Sequence, residues 1–458
     1  MALPQSLVWE VRTTGNNANG GAFLPTSGGT DRSQQDSPHV TFDGTDVTAT
    51  TTGASATITI SGYTVEAGDI GNILNITGGT KFITGRYYIQ SVSTENNTWT
   101  LDRKCCSSAA SAMTGRMGGC VADLALIGGY LVGSETIHIK AGNYYVTSTT
   151  ANVAGGRLDS STAITGIFGY KDTRLDFAEA PILYADYNDA TGYYLIRVTA
   201  TLVCNLKAIN NYPDSKWKFF GVPADTVSVI VGCSCHNFFY GFYGATAAYC
   251  TMTRDSVLTG GYGFQSCTAY NCYASYALFG FYSSNAHSCA AISCDTGFRD
   301  CPVITNCLAK SCKYGTDSAG AKVRATACIA PTCTNGFSNT TGNNLVAIDC
   351  TCAIYNGSYL KFAYYNCPVV IYQQASTVTY MTPIALTADP FKDAANGDYR
   401  LNNVAGGGAV LKDQAFTGLF LPDLLKTNFA QDIGAATEPV ASGGGGTVFF
   451  LPPRLIGG

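Results

Sequence analysis

Between Cys233 and Gly357 the apolar positions recur as one phrase, stated seven times: a Cys, a small residue two on, a Cys or aromatic five on, then often Gly-Phe. The fullest copies are Cys233/Cys235/Phe238/Gly241-Phe242, Cys267/Ala269/Cys272/Gly280-Phe281, Cys289/Ala291/Cys294/Gly297-Phe298, Cys307/Ala309/Cys312/Gly315, Cys328/Ala330/Cys333/Gly336-Phe337 and Cys350/Cys352/Tyr355/Gly357. A weaker copy begins at Cys250. The leading cysteines fall 17, 17, 22, 18, 21 and 22 residues apart, a narrow period that predicts stacked supersecondary units. Helical repeats usually run longer, and short β-prone runs such as 227–231 predict one coil of a parallel β-solenoid per phrase.

Residues two apart on a strand face the same side, so each Cys-x-Ala or Cys-x-Cys pair is expected to point inward and stack on the next. Glycine after the second strand is expected to supply the positive φ of a corner. Phe242, Phe264, Phe281, Phe298 and Phe337 are then expected to stack in the core.

The flanks read differently. Val8 to Gly15 predicts one strand, followed by a glycine turn at Asn19-Gly20-Gly21. Residues 36–103 predict a small antiparallel β domain, with strands at 57–60, 73–76, 87–89 and 98–101 separated by Gly and Asn turns. Residues 118–145 predict a cap, with a short apolar helix at 120–127 and a strand at 136–140, because a solenoid must cover its open strand edges. The resulting division is 1–35, the insertion 36–103, cap and first coils 104–193, coils 194–385, C-terminal coils and cap 386–438, and a Gly-rich linker with an apolar peptide at 439–458.

Charged residues make up 13% of the chain and the net charge is −4, so a nucleic-acid surface has no electrostatic footprint. Apolar stretches fall well short of the about 20 residues of a membrane span. The first ten residues lack a basic leader and a long apolar core, which predicts synthesis in a host cytoplasm. Nineteen cysteines are an odd number, in a chain large enough to fold without staples, so most are expected to be buried thiols. No cofactor and no metal site is expected, since no His pairs accompany the Cys spacing.

The glycine strand at 8–21, Ala141-Gly142-Asn143-Tyr144, the Cys-x-Ala-x-x-Cys coils, Asn396-Gly397-Asp398-Tyr399-Arg400-Leu401 and Asp432-Ile433-Gly434-Ala435 together resemble the right-handed parallel β-helix, or pectate-lyase-like, superfamily. The likeness covers most of the chain outside 36–103 and implies an all-β, right-handed parallel β-helix carrying an inserted antiparallel domain. Trp9-Glu10-Val11-Arg12 with its β insertion most resembles structural proteins of tailed phages. The superfamily spans lyases, hydrolases, tailspikes and non-catalytic virion proteins, so function must be argued from the site.

Glycan hydrolysis needs paired carboxylates. Between Thr226 and Tyr380 only Asp255, Asp295, Asp300, Asp317 and Asp349 are present, with no Glu. Asp295 and Asp300 flank Gly297-Phe298 in one coil, and Asp255 completes the weak candidates, for which corner solvation is the commoner role. Lyases of this fold, by resemblance, need a base together with calcium or arginine. Arg254, Arg299 and Lys310 lack an acidic cluster beside them and read as surface, while His236 and His287 read as hydrogen-bonded structure. No Ser-His-Asp pattern is evident.

Three readings follow. The first is a non-enzymatic capsid decoration or cement knob, homotrimeric, on the virion surface and bound to the major capsid protein. Its candidate docking peptide is Phe449, Phe450, Leu451 and Arg454. The second is a phage tailspike or receptor-binding protein that binds or depolymerises host surface polysaccharide. The third is a cellular pectate-lyase-like enzyme, which the missing leader and calcium carboxylates disfavour.

Overall fold

The structure, a computed structural model, describes residues 3–413 apart from 46, 53–54, 189, 222–227, 257–260, 319–322, 357, 373–382 and 394–397. The terminal docking peptide and Asp432 to Ala435 lie outside the described residues.

Each coil holds three short strands, as in Tyr262–Gln265, Thr268–Tyr270 and Tyr273–Ser275, followed one coil on by Phe279–Tyr282, Asn285–His287 and Ala290–Ile292. Every strand pairs in parallel with its counterpart, placing Phe264 beside Phe281, Ala269 beside Ala286 and Ala274 beside Ala291. The chain is therefore an all-β parallel β-helix with three rows of strands, here rows one, two and three in the order just given.

Parallel register makes identical positions stack. Phe242 and Phe264 lie 5.0 Å apart between ring centroids, Phe264 and Phe281 4.8 Å, and Phe281 and Phe298 4.9 Å, all within 11° of parallel. Phe337 occupies the same column, but Thr316 separates it from Phe298.

The glycines of the Gly-Phe pairs do not turn the corners, although Gly232 and Gly244 do. Positive φ falls instead on the residue before each inward small side chain, as at Ser266 before Cys267, Asn271 before Cys272, Asp300 before Cys301 and Asn306 before Cys307. Asn and Asp tolerate the left-handed region through local hydrogen bonds. Gly263, Gly280 and Gly297 serve by lacking bulk: a Cβ on Gly280 would sit 2.8 Å from the Gly297 carbonyl oxygen and 2.9 Å from the Ala291 Cβ.

The cysteine after each corner has a hydrogen-bonding task as well as a packing one. Cys272 Sγ donates to the carbonyls of Tyr270 at 3.3 Å and of Ala247, in the preceding coil, at 3.4 Å. Ser284 Oγ makes the same two bonds, to Tyr282 and Phe264, at 3.0 and 3.2 Å. All the cysteines are free thiols, and all except Cys204 are buried.

At the N-terminal end Val8–Val11 pairs in parallel with Thr136–Lys140, which pairs with the last part of Leu158–Tyr170. Inserted after that first strand, Cys106–Met117 pairs with Val47–Thr52 on one side and Ile73–Phe82 on the other, closing a six-stranded antiparallel barrel. This closing strand lies beyond residue 103 and carries no clear apolar alternation. The cap helix is shorter than expected, Leu124–Ile127, with Asp123 Oδ1 accepting from the Ala125 N–H at 2.9 Å.

At the other end Leu386, Phe391, Tyr399 and Leu411 join a cluster with Leu308, Ile329, Val346, Ile348 and Ala363 on row three. The chain thus covers its own row-three face there.

Glu10, fully buried, binds Arg12 at 3.0 Å and Arg174 at 2.8 Å and accepts from the Tyr170 hydroxyl; Arg174 also reaches Asp31 at 2.9 Å. This ionic knot ties the first strand, the loop before the barrel and a coil corner together. Removing one partner would strand a buried charge, which is the costly way to break such a group. Beside it His138 stacks on Phe168 at 5.5 Å, and desolvation, followed by the charge of Arg174, pushes its imidazole down to about 4.

Two outcomes are expected. Gly280→Ala should cost about 1–3 kcal/mol through overpacking, read by urea unfolding; an unchanged midpoint would refute the steric role. The folded His138 binds its proton less readily than the unfolded chain, with its ordinary value of 6.5. Stability should therefore fall as pH drops from about 6.5 towards about 4, by up to about 3 kcal/mol from this group, and His138→Gln should flatten that slope.

Candidate functional site

The three carboxylates singled out in the sequence occupy different corners. Asp295 and Asp300 bracket the row-one strand Thr296–Arg299 and stand at opposite ends of it, roughly 15 Å apart by strand rise. That separation exceeds the span across which two carboxylates share a glycosidic bond. Asp300 instead meets Asp317: Arg299 Nη1 lies 3.2 Å from Asp317 Oδ2, and its Nε lies 3.6 Å from Asp300 Oδ2. Ser318 Oγ donates to Asp300 at 3.1 Å and Asn339 Nδ2 to Asp317 at 3.2 Å. Asp255 sits near the row-three end of its coil, against His236 and Asn237.

The cationic and imidazole candidates also separate. Arg254 is buried, with Nη2 on the Pro213 carbonyl at 3.3 Å. His287 stacks on Tyr270 at 5.1 Å on row two, and Lys310 lies on row three. One group among the described residues has ligand atoms close enough for a metal ion: His39, Glu66 and Asp69, within 4.8 Å of one another. Each is already engaged, His39 and Asp69 by the Tyr63 hydroxyl and Glu66 by Arg32, so their donor set does not invite a cation.

What the coil stacking does assemble is an aromatic strip on the outside of row one. Tyr240, Tyr262 and Phe279 occupy one register column, and Tyr243, Gln265, Tyr282 and Arg299 another. All are half-buried. Tyr240 and Tyr262 stack at 4.7 Å and 5°, whereas Phe279 and Tyr282 turn about 60° to Tyr262, at 5.3 and 5.2 Å.

A cation closes each end. Lys218 Nζ lies 4.9 Å from the Tyr194 ring centre and 5.0 Å from that of Tyr240, and the Arg299 guanidinium lies 5.1 Å from Phe279. Burial, then neighbouring phenols, raises the pKa of Tyr240 and Tyr262, so their hydroxyls stay neutral and can both donate and accept. None of the hydroxyls of Tyr240, Tyr243, Tyr262 and Tyr282 has a hydrogen-bond partner among the described residues.

Sequence reasoning followed the inward Phe of each Gly-Phe and passed over its neighbours. The signal was there, in Tyr240-Gly241-Phe242-Tyr243, Tyr262-Gly263-Phe264-Gln265 and Phe279-Gly280-Phe281-Tyr282. It fades in the next coils to Thr296 and Arg299, then Tyr314 and Asp317, so the strip is confined to three coils.

No protein-family model matches the chain, and no curated protein matches it in sequence. Among solved structures it is similar to the catalytic domain of a GH87 α-1,3-glucanase in complex with nigerose, at TM-score 0.32 and 9% identity over 76% of this chain and 85% of that one. A GH87 α-1,3-glucanase catalytic domain in complex with tetrasaccharides gives TM-score 0.29 and 12% identity over 77% and 74%. The Agl-KA catalytic domain gives 0.25 and 10% over 73% and 91%. Superposition this loose transfers no residue roles.

Proposed function

We propose that the chain binds polysaccharide along the outer face of row one. The observation that carries this is the aromatic strip of Tyr240, Tyr243, Tyr262, Phe279 and Tyr282, held in coil register with unspent phenol hydroxyls. A sugar offers apolar C–H faces and a rim of hydroxyls; the strip offers ring surface and phenol O–H groups. Rigid strands hold these groups, so little ordering entropy opposes binding.

Binding is the reading, with cleavage secondary. Asp300 and Asp317 are both engaged with the Arg299 guanidinium, so neither stands ready beside the strip as a leaving-group acid. In the phage setting implied by the resemblance of Trp9-Glu10-Val11-Arg12 and its β insertion, this would be the work of a spike or receptor-binding protein that takes host surface polysaccharide. The capsid-decoration reading has the 36–103 insertion and the terminal peptide Phe449 to Arg454 as its candidate attachments, and that peptide lies outside the described residues.

The test is affinity electrophoresis or calorimetry with purified host capsule or lipopolysaccharide. Replacing both Tyr262 and Tyr282 by Ala should weaken binding by about fivefold to a hundredfold, since each aromatic contact contributes about 0.5–1.5 kcal/mol. An unchanged affinity in that double variant would rule this face out. New reducing ends during incubation would add cleavage to the activity.

A further inference from the structure

His236 does not stand alone. It lies on the row-three strand Ser234–His236, in register with Thr253 of Thr251–Thr253 one coil on. His236 Nδ1 is 2.9 Å from Thr253 Oγ1, and His236 Nε2 is 3.2 Å from Asp255 Oδ1. Hydroxyl, imidazole and carboxylate are thus joined in a single chain.

The carboxylate is itself held. Asn237 Nδ2 donates to Asp255 Oδ2 at 2.7 Å, and Asn237 Oδ1 accepts the Asp255 N–H at 3.1 Å. With Asp255 accepting from Nε2–H, the tautomer is selected and the Nδ1 lone pair faces the Thr253 hydroxyl. That is the arrangement in which an imidazole takes a proton from an attacking alcohol. His236 keeps 34% of its side chain exposed, so substrate can reach it.

We infer that Thr253, His236 and Asp255 form an acyl-transfer site that hydrolyses carboxylic esters, with Thr253 as nucleophile, His236 as general base and then acid, and Asp255 and Asn237 as positioning residues. In the first half-reaction Thr253 Oγ1 bonds to the acyl carbon while its proton passes to His236 Nδ1. The bond to the leaving alkoxide breaks, and His236 returns the proton to that oxygen. Water then attacks the acyl-Thr253 ester with His236 again taking a proton, which goes back to Oγ1 as the carboxylic acid leaves.

The site adjoins the aromatic strip. Asn237, Phe238 and Phe239 lead from His236 to Tyr240, and Phe239 packs edge-on against Tyr240 at 4.9 Å. An ester carried by a glycan lying on that strip is the substrate class this placement favours, and that choice of substrate rests on the proposed glycan binding. The ester chemistry stands without it.

The experiment therefore uses no glycan. Purified full-length protein is incubated with p-nitrophenyl acetate, and separately with a fluorophosphonate probe followed by peptide mass spectrometry. Hydrolysis above the buffer blank is expected, together with a single adduct on Thr253. Thr253→Val and His236→Asn should each lower the rate at least a hundredfold, Asp255→Asn about tenfold, and Thr253→Ser should retain turnover. The adduct on unsubstituted protein needs no variant to fold. Its absence, or turnover that survives Thr253→Val, would overturn the assignment.

Discussion

Parallel strand pairing at about 4.8 Å per coil is the constraint on which everything else here depends. It turns each position of the repeat into a column, so a residue must suit the copy above it and the copy below. The Phe rings answer by lying nearly parallel at 4.8 to 5.0 Å. The glycine column answers by leaving room for the next coil's carbonyl. At the corners a single left-handed residue, most often Ser, Asn or Asp, turns the chain, and a following thiol or hydroxyl donates to two carbonyls that the turn brings within reach.

The same rule operates outside. The aromatic side chains that flank Gly-Phe, interrupted at Gln265, form a strip because their coils are in register, and the strip ends where Thr296 and Arg299 replace them. Hydrogen-bonding side chains are aligned likewise: His236 reaches Thr253 because the two are register partners across one coil. Row three is different, since Leu386, Phe391, Tyr399 and Leu411 pack on its apolar residues and remove that part from solvent.

Much of the interior was legible in the sequence, because a column repeats its residue and repetition can be counted. The cysteine period, the inward Cys-x-Ala pairs and the Phe stack follow from spacing alone. The role assigned to glycine did not follow: positive φ and missing bulk both select Gly, and only the backbone angles separate them. The barrel's closing strand Cys106–Met117 was silent because its Ser, Ala and Thr residues carry little hydrophobic contrast.

The candidate site was less legible. Asp295 and Asp300 are five residues apart, yet a strand lies between them; Arg299 and Asp317 are eighteen apart and touch. His236 read as isolated because its partners lie 17 and 19 residues on, one coil away. By itself the sequence determined the coil, its period and the residues that fill it, since those are local choices repeated. Only the tertiary structure decided which outward side chains meet, because coil register and the covering C-terminal segment are properties of the stacked whole.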